Sequence, residues 1–212
     1  MNTIQANDRP MHYEYQFRDT TAAQRKELYD RLYDEAGNMR ALKTEDFRVR
    51  DVPGWDGGKA GRMNGYAVAK VGDDYVVFAM NPGIYFSGKK ELTEEQLTYL
   101  RGKYDRDNLP KEDRIKLLAE LSCFGVISGS DAYAEAFPEK CPWVQKQRQQ
   151  FKIDGNETDL ADWIEYYLQR AMQAKDDMDK LSANNRFIVH VESERRAHSF
   201  YSTLAQTMKQ IA

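Results

Sequence analysis

Cysteine, histidine and proline are scarce in this chain of 212 residues, at two, three and six. Two cysteines cannot build the disulfide framework of a small secreted domain. Three histidines with two cysteines leave little material for a metal centre. No apolar run approaches the roughly 20 residues of a membrane span, and Met1 to Pro10 lack the apolar stretch of a secretory signal. Excess positive charge is missing as well: 31 Lys and Arg face 34 Asp and Glu, for a net charge of −3. Such a chain has no general attraction to nucleic acid. These absences point to a cytoplasmic protein, with signal-independent export left open, to free thiols at Cys123 and Cys141, and to no metal or cofactor.

Aromatic residues are plentiful, at 12 %, including 13 Tyr and 9 Phe. Disordered chains lack that content because they cannot bury enough apolar surface to offset ordering entropy, so a folded chain with a real core is expected. The reading divides it into a disordered tail over 1–10, a small α+β unit over 11–90 and a helical unit over 91–212.

In the first unit, Tyr13, Tyr15 and Phe17 alternate with polar residues, a strand pattern. Thr21 and Gln24 form a capping box ahead of a helix over 22–36 with Leu28, Tyr29, Leu32 and Tyr33 on one stripe. Phe47 to Val52 and Ile84 to Phe86 read as short strands. Residues 66–80 form the firmest β signal, two β-rich runs around Gly72-Asp73-Asp74. The expected class is α+β: a small antiparallel sheet with one packed helix, followed by a mainly α-helical unit ending in a long helical hairpin.

The helical unit carries its own punctuation. Thr93 and Gln96 form a second capping box for a helix to about Tyr104. Pro110 opens the next helix, and Gly125 closes it. Ser128 with Asp131, or Ser130 alone, is expected to cap a third helix through Ala136. Residues 143–152 fit either a polar helix or a linker. Leu160, Ile164, Tyr167, Ala171, Ala174, Met178 and Leu181 follow a 4-3 heptad spacing, and Ala197, Tyr201, Leu204, Met208 and Ile211 repeat it. Residues 182–185 read as the turn between them. Residues 186–191 fit helix better than strand, because Phe187 and Val191 extend the second seam.

No motif names a reaction. Gly54, Gly57, Gly58, Gly61 and Gly65 make a glycine-rich loop whose spacing matches no phosphate-loop signature; Gly57, Gly58, Lys59 and Arg62 are its candidate ligand residues. Asp154, Asn156, Thr158, Asp162 and Glu165 match an EF-hand in part, but Asp159 stands where a glycine is needed. His190, Glu192, Glu194 and His198 cluster without a third histidine. Cys141 is the more exposed cysteine and Cys123 the more buried, with no local nucleophile signature. Arg195, Arg196 and His198 form a basic patch, for which the acidic segment 159–182 is the natural partner. The leading expectation is a non-enzymatic accessory or adaptor module that binds another protein, as a monomer or weak homodimer. The alternatives are a small-ligand binder or enzyme with a pocket near 54–65, and nucleic-acid binding through the Arg195/Arg196 face, which the net charge disfavours.

Overall fold

A computed structural model describes residues 22–32, 35, 66–79, 91–182 and 188–212. Among these residues the architecture is mixed and mostly helical, with one two-stranded antiparallel sheet. The predicted strands at 13–17, 47–52 and 84–86, the turn at 182–185 beyond Ser182, and Gly57, Gly58, Lys59 and Arg62 lie outside the described residues. Helix α1 spans Ala22–Leu32; of the remaining residues of the expected helix over 22–36, Tyr33, Asp34 and Ala36 lie outside the described residues.

Strands β1 (Tyr66–Val71) and β2 (Asp74–Ala79) form the expected hairpin, in register from Val71 opposite Asp74 to Tyr66 opposite Ala79. The turn is two residues, Gly72-Asp73, so Asp74 belongs to the strand. Gly72 takes φ +59°, and a Cβ there would stand 2.6 Å from a Glu112 carboxylate oxygen. The positive φ favours glycine, while the Glu112 carboxylate, at the end of a flexible exposed side chain, can move aside.

Helix α2 (Glu94–Lys103) starts from a complete capping box, Thr93 accepting the Gln96 amide and Gln96 accepting the Thr93 amide. Helix α3 (Lys111–Cys123) follows Pro110. It closes as Gly125 adopts φ +74° and the amides of Gly125 and Val126 return to the carbonyls of Ser122 and Leu121. That turn tucks Val126 and Ile127 into the core ahead of α4 (Gly129–Ala136). Ser128 stands at the N-cap as expected, but its hydroxyl meets the Ser130 hydroxyl at 2.9 Å and makes no bond to a helix amide. The ambiguous 143–152 segment is helix α5 (Pro142–Phe151), reached through a 3-10 turn over Pro138–Lys140.

The long helices α6 (Leu160–Ser182) and α7 (Ile188–Ile211) pack extensively against each other, with His198 beside Ala171 and Tyr201 stacked on Tyr167. Residues from Ile188 on are helical, in line with the preference for helix there. The second seam is deep: Tyr201, Leu204, Met208 and Ile211 are buried. The first seam is shifted. Ile164, Met178 and Leu181 are half-buried, and the buried face is Leu160, Trp163, Tyr166, Tyr167, Arg170, Ala171 and Ala174. The reason is that α6 faces more than α7: Trp163 meets Arg114 of α3, and Tyr166 meets Phe151 of α5. A helix enclosed on several sides buries a broad stripe instead of a narrow two-position seam.

One core joins sheet and helices. Phe78 of β2 packs edge-on against Tyr133 and Phe137, with centroids 5.4 and 6.1 Å away. The α2–α3 connection is tied to the start of α6, Leu109 donating to the Thr158 carbonyl at 2.6 Å and Leu160 to that of Arg106 at 3.0 Å. Arg101 donates twice to the Gln210 carbonyl, placing a cation at the negative end of α7. Among the described residues no helix is long and apolar enough to cross a membrane.

Candidate functional site

A half-open concavity lies between β2, α2 and α3, with Arg25 of α1 at its edge. On α3, Lys116, Ala119, Glu120, Cys123 and Phe124 fall three and four residues apart, so they share one face. Tyr99 and Lys103 do the same on α2. These two faces, with Asp74 to Val77 of β2 and Arg25 of α1, line a half-open cleft of about 150 Å³. Val76, Val77, Ala119 and Phe124 give it an apolar floor.

The charged residues of the cleft are held in place. Lys103 Nζ donates to Glu120 Oε1 and, at 2.9 Å, to the Tyr99 hydroxyl, which itself donates to Glu120 at 3.0 Å. Burial would lower the Lys103 pKa, but the Glu120 carboxylate and Tyr99 hydroxyl outweigh it and hold the ammonium above its ordinary value. Arg25 pairs with Asp74 at 3.2 Å. Burial would raise the Asp74 carboxyl, yet the Tyr75 amide, Arg25 and Lys116 together draw it below the usual carboxylate range. Lys116 sits 3.5 Å from Asp113, one turn back on α3. Three cations and two acids therefore line the cleft as fixed groups.

The same residues seal the outer edge of β2. In this register Tyr75, Val77 and Ala79 turn their backbone polar groups away from β1. Arg25 Nε donates to the Tyr75 carbonyl, the Cys123 thiol donates to the Val77 carbonyl at 3.2 Å, and the Ala79 amide donates to Ser122 Oγ at 3.1 Å. Edge strands left open invite pairing with another chain; here side chains from α1 and α3 occupy the edge, and the cleft runs beside it.

A second polar cluster lies inside the helical body. Arg148 of α5 and Glu135 of α4 form a buried ion pair at 2.7 Å, and Arg148 also donates to the Glu135 carbonyl. Tyr201 of α7 donates to the other Glu135 oxygen at 3.1 Å. Arg114 Cζ lies over the Trp163 ring, 3.8 Å from its centroid, and Arg148 Cζ stands 5.1 Å from the centroid of the same ring. Burial lowers the Arg114 pKa, opposed by the Tyr167 hydroxyl and by Glu135 and reinforced by Arg148.

The residues singled out from sequence fare differently. Arg195 and Arg196 both pair with Glu192 on their own helix, at 3.3 and 3.6 Å. His198 is turned inward to the Ala171 carbonyl, so it does not extend their patch. In the EF-hand-like segment, Asp154 and its neighbours Glu157 and Asp159 accept backbone amides, and Glu165 accepts the Gln169 side-chain amide at 3.0 Å. Glu157 accepts the amides of Asp154 and Gly155, Asp154 accepts that of Asn156, and Asp159 accepts that of Ala161 at the head of α6. No disulfide joins Cys123, whose thiol is bonded to the Val77 carbonyl in the cleft wall, to Cys141 at the head of α5. The cleft residues themselves carry no sequence signature beyond helical spacing, because the cleft forms only where four separate segments meet. Comparison with protein-family models, with curated proteins and with solved structures gives no match.

Proposed function

We propose that the protein is a non-catalytic accessory module that docks a partner protein by seating one partner side chain in the cleft between β2 and α3. The observation that carries this reading is the size and lining of the cleft. Small-molecule and cofactor sites commonly enclose roughly 300–1,000 Å³, and this cleft offers about 150 Å³. That volume suits a single anchor residue, the unit that dominates many protein interfaces. The apolar floor suits the stem of such a residue. The rim, with Arg25, Lys103 and Lys116 against Asp74 and Glu120, suits a polar tip that accepts hydrogen bonds.

In this reading α1 packed on the hairpin completes a small α+β unit within 11–90, the helical unit over 91–212 supports it, and the protein acts in the cytoplasm without a cofactor. The small-ligand alternative is less well served by the cleft's volume. The nucleic-acid alternative is less well served by a basic patch whose two arginines already face Glu192.

The test is position-specific photo-cross-linking in the native host. Benzoylphenylalanine in place of Lys116, on the cleft rim, is compared with the same group in place of Asp176, on the exposed face of α6. A single protein adduct formed from position 116 and not from position 176 is expected. Equal adducts from both positions, or none from 116, would overturn the reading.

A further inference from the structure

Two of the three cations lining the cleft have an acid inside it. Arg25 pairs with Asp74 at 3.2 Å, and Lys103 pairs with Glu120. Arg25 also donates to the Tyr75 carbonyl and Lys103 to the Tyr99 hydroxyl. The same contacts engage the acids: Asp74 Oδ1 accepts Arg25 and the Tyr75 amide, Glu120 Oε1 accepts Lys103 and Tyr99, and Glu120 Oε2 is buried. Lys116 is different. Among the described residues its ammonium makes no hydrogen bond, and its one ion pair is with Asp113 at 3.5 Å. Asp113 lies one turn back on α3 and outside the cleft lining, and such a solvent-exposed pair contributes little. The Lys116 side chain itself is only 25 % exposed. Its charge reaches into the cleft: against burial, the Tyr75 amide, Arg25 and Lys116 together draw the Asp74 carboxyl down. Cancelled in pairs, the lining is left with one positive charge, and Lys116 carries it.

The position of that charge sets the shape of its counterpart. Lys116 and Ala119 stand three apart on α3, which puts their Cβ atoms about 5–6 Å apart on one face. Ala119 belongs to the apolar floor with Val76 and Val77, and Lys116 to the rim. A residue that spans the two needs a short apolar stem and an anionic tip. A glutamate side chain has that form, methylenes ending in a carboxylate that only accepts hydrogen bonds. A glutamine tip would leave the ammonium without a countercharge. A lysine or arginine tip would add a like charge.

We propose that the residue seated in this cleft is a glutamate of the partner protein, its stem on Ala119 and its carboxylate on the Lys116 ammonium. The inference rests on the docking reading above and adds the chemistry of the residue that docks. In a half-enclosed cleft the pair is less screened than one on the open surface, and a charge-assisted hydrogen bond is stronger than a neutral one. Photo-capture at position 116 is irreversible and so tolerates the loss of this one contact.

The probe is a random peptide library displayed with its C termini fused to the carrier, so that every carboxylate on offer is a side chain. The full chain selects from it, and peptides that bind the wild type but not Ala119→Leu are those seated in the cleft. If Ala119→Leu does not fold, a shift of the Ala119 methyl resonance in the wild type identifies the same peptides. They are expected to share a glutamate. Its replacement by glutamine should weaken binding to the wild type about tenfold or more and have little effect on binding to Lys116→Met, which keeps a good helix former at that position. Lys116→Arg, which keeps the charge, should keep most of the preference for glutamate. Cleft-seated peptides with no shared glutamate, or an undiminished glutamine penalty in K116M, would overturn this proposal and leave the docking reading standing. No peptide seated in the cleft would overturn both.

Discussion

Glu135 shows how much a single side chain can organise. It lies on α4, receives Arg148 from α5 and Tyr201 from α7, and has no exposed surface. Replacing one partner of a buried pair leaves the other charge uncompensated, at roughly 3–5 kcal/mol. Glu135→Gln is therefore expected to lower the free energy of unfolding in urea by about that much. A change under 1 kcal/mol would mean that Arg148 finds another acceptor. Asp131, in the first turn of α4, behaves in the opposite sense. Burial raises its carboxyl to about 6, with Arg196 pulling it down. The unfolded value is about 3.9, so the folded protein holds this proton while the unfolded chain releases it. The group removes stability as pH rises from about 4 to about 6 and leaves the loss constant above that. Asp131→Asn is expected to flatten the stability profile across this window and to raise stability at pH 7 by on the order of 2 kcal/mol, discounted for the favourable helix N-terminus. Unfolding curves measured across that window check both the sign and the size.

At the scale of elements, two serine and threonine N-caps that look alike in the sequence are physically different. Thr93 completes a reciprocal capping box, whereas Ser128 turns its hydroxyl to Ser130. Thr93→Ala should cost about 1 kcal/mol, and Ser128→Ala only a few tenths, since no helix amide loses its cap. Chemical denaturation of the two variants separates them, and equal losses would contradict the assignment of caps. The hairpin, the α2 cap and the Gly125 stop were legible because each rests on a short-range rule: period-2 alternation, reciprocal side-chain bonds, a left-handed residue. The buried face of α6 was only half legible. Spacing identified Tyr167, Ala171 and Ala174, but Trp163 and Arg170 are buried by contacts with other elements, and no periodicity within α6 reports those. Arginine in a core runs against its usual exposure, so the cluster around Trp163 gave no signal in the sequence. The cleft was hidden for the same reason, and the candidate loop at 57–62 lies outside the described residues.

At the scale of the whole molecule, the α6–α7 pair is covered from within the chain. Met208 is fully buried, while Met178 near the far end of α6 is half-buried. A charge placed at Met208 has no water to solvate it and costs several kcal/mol. Met208→Asp is expected to unfold the helical body at every protein concentration, and Met178→Asp to be tolerated with a smaller loss. Circular dichroism with sedimentation distinguishes this from a hairpin held together by dimerisation, in which M208D would give a folded monomer.

The cleft rests on that body, since its α3 wall also carries Arg114 and the buried leucines of the core. The claim that one partner side chain anchors there is tested most directly by the affinity of the protein captured at position 116, measured for the wild type and for Ala119→Leu, which fills the floor of the cleft. Circular dichroism confirms folding, and Lys116→Glu serves in its place if Ala119→Leu does not fold. Loss of an anchor residue's seat costs at least about 2 kcal/mol, so the predicted result is a fall in affinity of roughly thirtyfold. Undiminished affinity in a folded variant would contradict the account.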